Sequence, residues 1–242
     1  MGGTLLMSGG SNVDFMIHGL FSYNFPGLGE VWITTSHVCI LLVMLIILVF
    51  AIVANRKIKK AKDVPSGFQN VVELIVEKLD GMIEAAMGKN AKYFANYIGT
   101  IFIFILLSNF SGLLGLRPPT ADYGTTFALA IMTFCIITFQ KFKHQHVKGV
   151  VKGLCSPWVF WAPINLIGDF AVPVSMSLRL FANVLSGVVI EALVYTLLSW
   201  IATGWPAFLH VYFDLFSGAI QTYVFCMLTM TYVNQAIEDG EY

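Results

Sequence analysis

Three ionisable side chains, Arg179, Glu191 and Asp214, lie within long apolar stretches near the end of this chain. An arginine at the centre of a membrane-spanning helix costs roughly 2.5–3.5 kcal/mol on insertion scales, so it is typical of a functional position. Its guanidinium group stays protonated and therefore cannot relay protons. It can act as a fixed positive charge, which lowers the pKa of any carboxylate brought beside it. These residue types predict ion binding and release within a membrane.

A structural ion pair is the alternative role for Arg179. The positions three and four residues away hold Ser175, Met176, Ala182 and Asn183. None of these side chains is acidic, so the sequence offers Arg179 no ion-pair partner within one turn of its own helix. A pair with Asp214 on a neighbouring helix is the remaining structural alternative. Without that pair, the carboxylate that Arg179 serves is expected on another subunit.

Polar and small residues form two stripes at the spacing of a helix, about 100° per residue. The first stripe contains Asn165, Ser175, Arg179, Asn183, Ser186 and Gly187, with Asp169 and Glu191 on its flank. The second stripe contains His210, Asp214, Ser217, Gly218 and Gln221. Two such stripes that face each other could line an ion path. In the structural alternative, the glycines pack helices, the amides form interhelical hydrogen bonds, and the histidine lies at the membrane interface.

The composition indicates the elements that must position these residues. The chain has 242 residues, of which 57% are hydrophobic and only 12% are charged. A soluble domain usually has about 25% charged residues, whereas a membrane-spanning helix needs roughly 20 apolar residues. We therefore predict an all-α polytopic membrane protein with about five transmembrane helices, forming a single membrane domain over residues 1–242.

The predicted domain begins with an outer N-terminal segment, 1–30, and a first span, 31–54. Five basic residues within 55–62 mark this end of the span as cytoplasmic under the positive-inside rule. Over residues 65–88, apolar side chains recur at helical steps opposite an acidic face, which predicts an amphipathic helix on the cytoplasmic membrane surface. Ser66 and Gln69 have the spacing of a capping box at its start.

The second and third spans are predicted within residues 93–139. The turn between them contains two prolines and the single basic residue Arg117, as expected on the outer side. A second basic cluster, 141–148, marks the cytoplasmic side again. The last two segments lie within 160–236, and residues 160–202 would extend about 60 Å as one helix. They form either two short spans that break at Pro173 or one long tilted helix. Five spans place the N-terminus outside and the C-terminus in the cytoplasm.

The sequence lacks the residue patterns that are typical of several classes of function. The cysteines Cys39, Cys135, Cys155 and Cys226 lack the spacing of metal ligands. His144 and His146 have no acidic neighbours and are interpreted as part of a solvated loop. There is no GxxxxGK[ST] phosphate-binding loop and no charged tail typical of nucleic-acid binding. We therefore expect no catalytic residue, metal, cofactor or nucleic-acid partner. A stand-alone secondary transporter that binds an anionic substrate through Arg179 stays an alternative, although such transporters favour internal repeats, which the sequence lacks.

Residues 177–183, SLRLFAN, resemble the Arg-Leu-Phe-x-Asn segment of subunit a of the F-type ATP synthase, the membrane stator channel of the Fo sector. Further segments resemble this family in the same order along residues 30–238: 65–69 with Glu73, 118–122 with Thr125 and Thr126, 163–167, and 218–221. The resemblance implies a hairpin of two long tilted helices against the c-ring. It also implies a non-catalytic subunit with membrane lipid and the peripheral-stalk b subunits as further partners, in the plasma membrane of a bacterium.

The resemblance also implies a role for each member of the two stripes. Arg179 would separate two half-channels for H⁺ or Na⁺, with Asn183 and Gln221 as polar neighbours of the path. The outer half-channel would contain His210, Asp214 and Glu191, and the cytoplasmic half-channel would contain Asn165, Asp169 and Ser175. One departure concerns Val188, because the family often has an acid or a histidine at that position. Glu191 is the candidate substitute, although it lies about 120° around the helix from Arg179.

Overall fold

The computed structural model describes residues 19–25, 29–59, 67–114, 116, 118–155, 158–197 and 211–238. In this part of the chain, five helical segments are long and apolar enough to cross a membrane. They are Thr35–Ile58, Phe68–Leu113, Tyr123–Gln145, Ala162–Val194 and Val211–Glu238. The prediction of an all-α polytopic membrane protein with about five spans is therefore confirmed.

A short hairpin that was not predicted from the sequence precedes the first helix. Strand β1 (Gly19–Phe25) pairs antiparallel with β2 (Gly29–Thr34). Residues 31–34 are β-branched or aromatic, which suits a strand, so helix α1 covers Thr35–Ile58 and begins four residues later than the predicted span. The Thr34 hydroxyl lies 2.6 Å from Nδ1 of His37 in the first turn of α1, which helps to satisfy the open end of the helix.

Helix α1 exposes most of its apolar surface. Leu41 is 66% exposed and Leu45 is 59% exposed, because the helix contacts its neighbours along one narrow side. Exposed apolar side chains around a long helix are typical of contact with lipid. Near the basic end of α1, Phe50 packs against Phe68, and Nζ of Lys57 lies 4.4 Å from the centre of the Phe68 ring.

Helix α2 (Phe68–Met87) is the predicted amphipathic helix. It buries Val72, Ile83 and Met87 and exposes its acidic residues. The glycines on either side, Gly67 and Gly88, have φ values of +55° and +53°, a conformation that residues with a Cβ rarely adopt. Gly88 therefore ends α2 and lets the chain turn into the next helix. The predicted cap residue Ser66 lies outside the described residues, whereas the Gln69 amide donates to the Glu73 carboxylate.

Helix α3 covers Ala91–Phe110, and helix α4 covers Tyr123–Leu154. Between them lie two short 3₁₀ turns, Ser111–Leu114 and Pro119–Ala121. The interpretation of His144 and His146 as loop residues is wrong, because α4 continues through the whole basic cluster. Lysine, glutamine and histidine are compatible with a helix, and the apolar pattern alone does not show where such a helix leaves the membrane.

Helix α5 covers Ala162–Leu197 and contains Pro173 in its interior. Of the two predicted alternatives, the single long helix is therefore the correct one. Membrane helices tolerate an internal proline when neighbouring groups satisfy the freed carbonyl. At roughly 1.5 Å per residue, these 36 residues extend about 54 Å. This exceeds a hydrocarbon core of about 30 Å, so the helix must tilt or project beyond it.

In the described part of the last segment, a π-helical turn, Val211–Ser217, is followed by helix α6, Gly218–Glu238. His210 lies outside the described residues. A π-helical turn takes about one residue more than an α-helical turn. The angle between Asp214 and Gln221 therefore differs from the value that a uniform helix would give.

Helices α3 to α6 pack around a common core that includes Ile98, Ile105, Phe225, Met230 and Val233, and each runs antiparallel to the next along the chain. Asn90 donates to Asn234, at one end of the bundle, whereas Asn109 donates to the Gly218 carbonyl at the other. We call the end at which α1, α4 and α6 terminate the basic end, after its lysine residues, and the other the far end. The two helices that carry the predicted stripes, α5 and α6, therefore run in opposite directions between these ends.

Candidate ion-translocation site

Arg179 lies on a face of α5 that no other part of the described chain covers. Its neighbours on this face, Ser175 and Ser186, are also exposed, whereas Met176 and Leu180 on the opposite side are buried. Among the described side chains, none forms an ion pair or hydrogen bond with Arg179. The alternative of a structural pair with Asp214 is therefore wrong. The guanidinium group faces the surroundings of the chain, where another subunit can reach it.

The two polar stripes meet between α5 and the π-helical turn. The Asn183 amide donates to the Ser217 hydroxyl over 3.1 Å, and that hydroxyl lies 3.3 Å from the Asn183 carbonyl oxygen. The two segments also pack closely at Gly187, where a Cβ would lie 3.4 Å from Cβ of Phe213, an ordinary van der Waals distance. Members of both stripes therefore lie side by side at the far end of the bundle.

The end of α3 forms a third wall that the sequence analysis missed. Asn109 is buried, and its amide nitrogen donates to the Gly218 carbonyl over 3.0 Å. Its carbonyl oxygen accepts a hydrogen bond of 2.7 Å from the Thr120 hydroxyl. An asparagine in the middle of an apolar span was the available signal, because a buried amide needs partners of its own. Asn109 thus links α3, the 3₁₀ turn before α4, and the start of α6.

Asp214 lies against Gly112, which follows α3. A Cβ on Gly112 would be only 2.6 Å from Oδ2 of Asp214 and 2.7 Å from its Cγ. The absence of a side chain at Gly112 therefore lets the carboxyl group occupy this place. Beside it is a cavity of about 10 Å³, lined by Asn109, Asn183, Val184, Gly187, Phe213, Asp214 and Gly218. Such a volume is close to the minimum for a single water molecule.

Glu191 and Gln221 are two further residues that were predicted to belong to the site, and in the structure both lie toward the interior of the bundle. Each is 8% exposed, so neither shares the uncovered face of Arg179. The amide nitrogen of Gln221 has no hydrogen-bond partner among the described residues. A buried polar atom without a partner is rare in proteins and indicates a role or an additional bound group. His210, the remaining predicted member of the outer group, lies outside the described residues.

A second polar group lies at the basic end. Nζ of Lys141 on α4 lies 2.8 Å and 3.0 Å from the two carboxylate oxygens of Asp169 on α5. The Asn165 amide donates to the Leu154 carbonyl at the end of α4. Ser175 is exposed on the side of Arg179. From the sequence, Lys141 was predicted only as part of the basic cluster, with no individual role.

The position of Arg179 along α5 separates these two groups. At about 1.5 Å per residue, Arg179 lies roughly 15 Å along the helix from Asp169 on one side. On the other side it lies roughly 6 Å from Asn183, where the far-end group begins, and roughly 18 Å from Glu191. The described residues contain no cluster of three His, Cys, Asp or Glu side chains that could hold a metal ion. The arrangement therefore consists of two polar groups at opposite ends, with one uncompensated positive charge between them.

Comparison with known proteins identifies relatives over most of the chain. The sequence model of the ATP synthase A chain family matches residues 37–234. A protein of Propionigenium modestum named "ATP synthase subunit a, sodium ion specific" is 40% identical over 200 residues, which cover 76% of this chain and 68% of that protein. The ATP synthase subunit a of Moorella thermoacetica is 30% identical, covering 85% of this chain and 92% of the relative. The chain therefore belongs to the ATP synthase A chain family, the membrane proteins known as subunit a.

Proposed function

We propose that this chain is the stator channel of a rotary ATP synthase and provides two offset half-channels to the carboxylates of a c-ring. The outer half-channel contains Asp214, Glu191 and His210, and the cytoplasmic half-channel contains Asp169 and Ser175. Membership of the family supports the role in ion translocation. The observation that carries the proposal is the exposed, unpaired guanidinium of Arg179 between two polar groups.

The uncovered face of α5 is the surface that we assign to the rotor. An arginine without a counter-charge is costly in a membrane, and a carboxylate from another subunit would offset that cost. Such a carboxylate gives up its ion beside Arg179, because the positive charge favours its ionised form. Once it binds a new ion it is neutral, and it can then rotate through lipid. Arg179 itself cannot conduct a proton, so it also prevents a direct leak between the half-channels.

In this scheme the chain carries out no nucleotide chemistry. Each elementary charge that crosses the membrane releases about 2.3 kcal/mol per 100 mV, and the c-ring transmits this energy as torque to catalytic subunits elsewhere. The peripheral-stalk b subunits hold the chain against that torque. The basic end of the bundle faces the cytoplasm under the positive-inside rule, and the far end faces outward across the bacterial plasma membrane. The C-terminus is then cytoplasmic and the N-terminus is outside.

Between H⁺ and Na⁺, we propose Na⁺ as the transported ion. The relative at 40% identity is named as sodium ion specific. The side chains that join the stripes are compatible with this choice, because Asn183, Ser217 and Asn109 are amides and a hydroxyl that do not titrate.

The test is ATP-driven uptake of ²²Na⁺ into inverted membrane vesicles that contain the assembled complex. Arg179→Gln should abolish uptake while the complex remains assembled. Arg56→Gln is the matched control, because Arg56 is exposed in the last turn of α1 and belongs to neither polar group. Persistent uptake in Arg179→Gln would contradict the proposed role. ATP-independent uptake driven by an anionic solute gradient would instead support the secondary transporter.

A further inference from the structure

The carboxylate of Asp169 forms a salt bridge with the ammonium group of Lys141, on the neighbouring helix α4. Nζ of Lys141 contacts both carboxylate oxygens, at 2.8 Å and 3.0 Å. The pair joins the basic ends of α4 and α5 across a bundle surface where the two side chains are 26% and 41% exposed. The rest of the described chain therefore covers the pair only in part, and no helix has to move to expose Asp169.

Asp169 is the only carboxylate available at this end of the two helices. In the sequences of α4 and α5 the only acidic residues are Asp169 and Glu191, and Glu191 lies at the far end. Asp169 lies about 80° around α5 from Arg179, at the border between the uncovered face and the contact with α4. A cation moving between the rotor face and the cytoplasm at this end therefore meets this carboxylate.

The strength of the pair suits exchange. Partly exposed pairs of this kind contribute roughly 0.2–1 kcal/mol, so an arriving ion can displace the lysine. Lysine has a flexible four-carbon chain and a compact ammonium group, which can swing away and return. An arginine would instead hold both oxygens in a rigid planar arrangement. A lysine at position 141 is therefore better suited than an arginine to be displaced from Asp169 by an arriving cation.

We propose that Lys141 is a tethered counter-ion that competes with transported Na⁺ for Asp169 and thereby sets the apparent affinity of the cytoplasmic half-channel. The lysine neutralises Asp169 when no ion is passing, and it withdraws when Na⁺ binds. This inference rests on the proposed function, because it requires that Na⁺ passes Asp169. Lys141 acts through Asp169 and is a positioning residue for the ion.

The test measures ATP-driven ²²Na⁺ uptake into inverted vesicles, whose outer face is the cytoplasmic one, as a function of external Na⁺. Lys141→Gln removes the competitor, so the half-saturating Na⁺ concentration should fall by roughly two- to fivefold, the fold-change that corresponds to the strength of such a pair. The maximal rate at saturating Na⁺ should change by less than about twofold. A lysine that only stabilises the bundle would lower the maximal rate and leave the half-saturating concentration unchanged.

Two further variants separate the pair from general charge effects. Lys143→Gln is the matched control, because Lys143 is exposed two residues along α4 and has no ion pair among the described side chains. It should leave the half-saturating concentration near that of the native protein. In an Asp169→Asn background, Lys141→Gln should have no further effect. An equal shift in Lys143→Gln, or an unchanged half-saturating concentration in Lys141→Gln, would overturn the inference.

The same assay distinguishes this inference from the proposed function. Native vesicles that take up Na⁺, together with an unshifted Lys141→Gln variant, would leave the half-channels intact and remove only the tethered counter-ion. Native vesicles that take up no Na⁺ but acidify on addition of ATP would contradict both the Na⁺ assignment and the competition. Native vesicles that transport neither ion would contradict the proposed function itself.

Discussion

The contact between Gly112 and Asp214 gives the sharpest prediction for the far end of the bundle. In Gly112→Ala, the new Cβ would lie 2.6 Å from Oδ2 of Asp214, whereas ordinary contact begins at 3.4 Å. The carboxyl group must therefore retreat by about 0.8 Å or more. Overpacking of this kind costs roughly 1–3 kcal/mol. If the displaced group is part of the ion path, the uptake rate should fall by about tenfold or more, which corresponds to a rise of about 1.4 kcal/mol in the transport barrier.

The assay is ATP-driven ²²Na⁺ uptake into inverted vesicles, normalised to the amount of assembled complex. Gly99→Ala is the matched control, because no heavy atom lies within 4 Å of a Cβ at Gly99. This substitution in α3 should leave uptake unchanged, and the higher helix propensity of alanine favours the fold. A similar loss of uptake in both variants would show that any alanine in this region is harmful, and the reasoning about Asp214 would be refuted.

A double-mutant cycle tests whether Gly112 acts through Asp214. Residues in contact show non-additive effects, whereas independent residues have additive ones. If the only harm of Gly112→Ala is to displace the carboxyl group, this substitution should have little further effect in an Asp214→Ala background. Full additivity of the two substitutions would mean that Gly112 affects uptake by another route.

Two further predictions concern the individual half-channels. Asp214→Ala should slow ²²Na⁺ uptake by roughly ten- to hundredfold, because a charge-assisted contact contributes about 1.5–3 kcal/mol; an unchanged rate would remove Asp214 from the path. Ser175→Cys, in a background without the native cysteines, should react with a membrane-impermeant thiol reagent added from the cytoplasmic side, because Ser175 is exposed between Arg179 and the basic end. Labelling from the outside alone would reverse the proposed topology.

Much of the fold could be predicted from the sequence, because the insertion of a helix into a membrane depends on the summed hydrophobicity of consecutive residues. Twenty consecutive apolar residues lose enough contact with water to span a bilayer whatever their neighbours are, so the spans were evident. The hairpin of β1 and β2 and the length of α4 were not evident. Both depend on where a helix leaves the membrane, and the residues concerned are compatible with more than one conformation.

The prediction of a functional Arg179 came from the sequence alone, since the cost of a guanidinium group within a membrane follows from the residue type and the apolar segment around it. The two stripes of α5 and α6 followed from helical periodicity. Periodicity does not show which neighbour a stripe faces. The sequence therefore left open whether Asn183 bonds to Ser217, whether Arg179 pairs with Asp214, and which side of α5 remains uncovered.

Tertiary structure alone decided the contributions of Asn109, Gly112 and Lys141. Each acts on a residue far away in sequence: Asn109 on Gly218, Gly112 on Asp214, and Lys141 on Asp169. Local patterns carry no information about such contacts, because they arise only when antiparallel helices come together in one register. The π-helical turn changed the angle between Asp214 and Gln221 for a similar reason. A single helix has no local preference for this turn, whereas packing against α3 and α5 accommodates it.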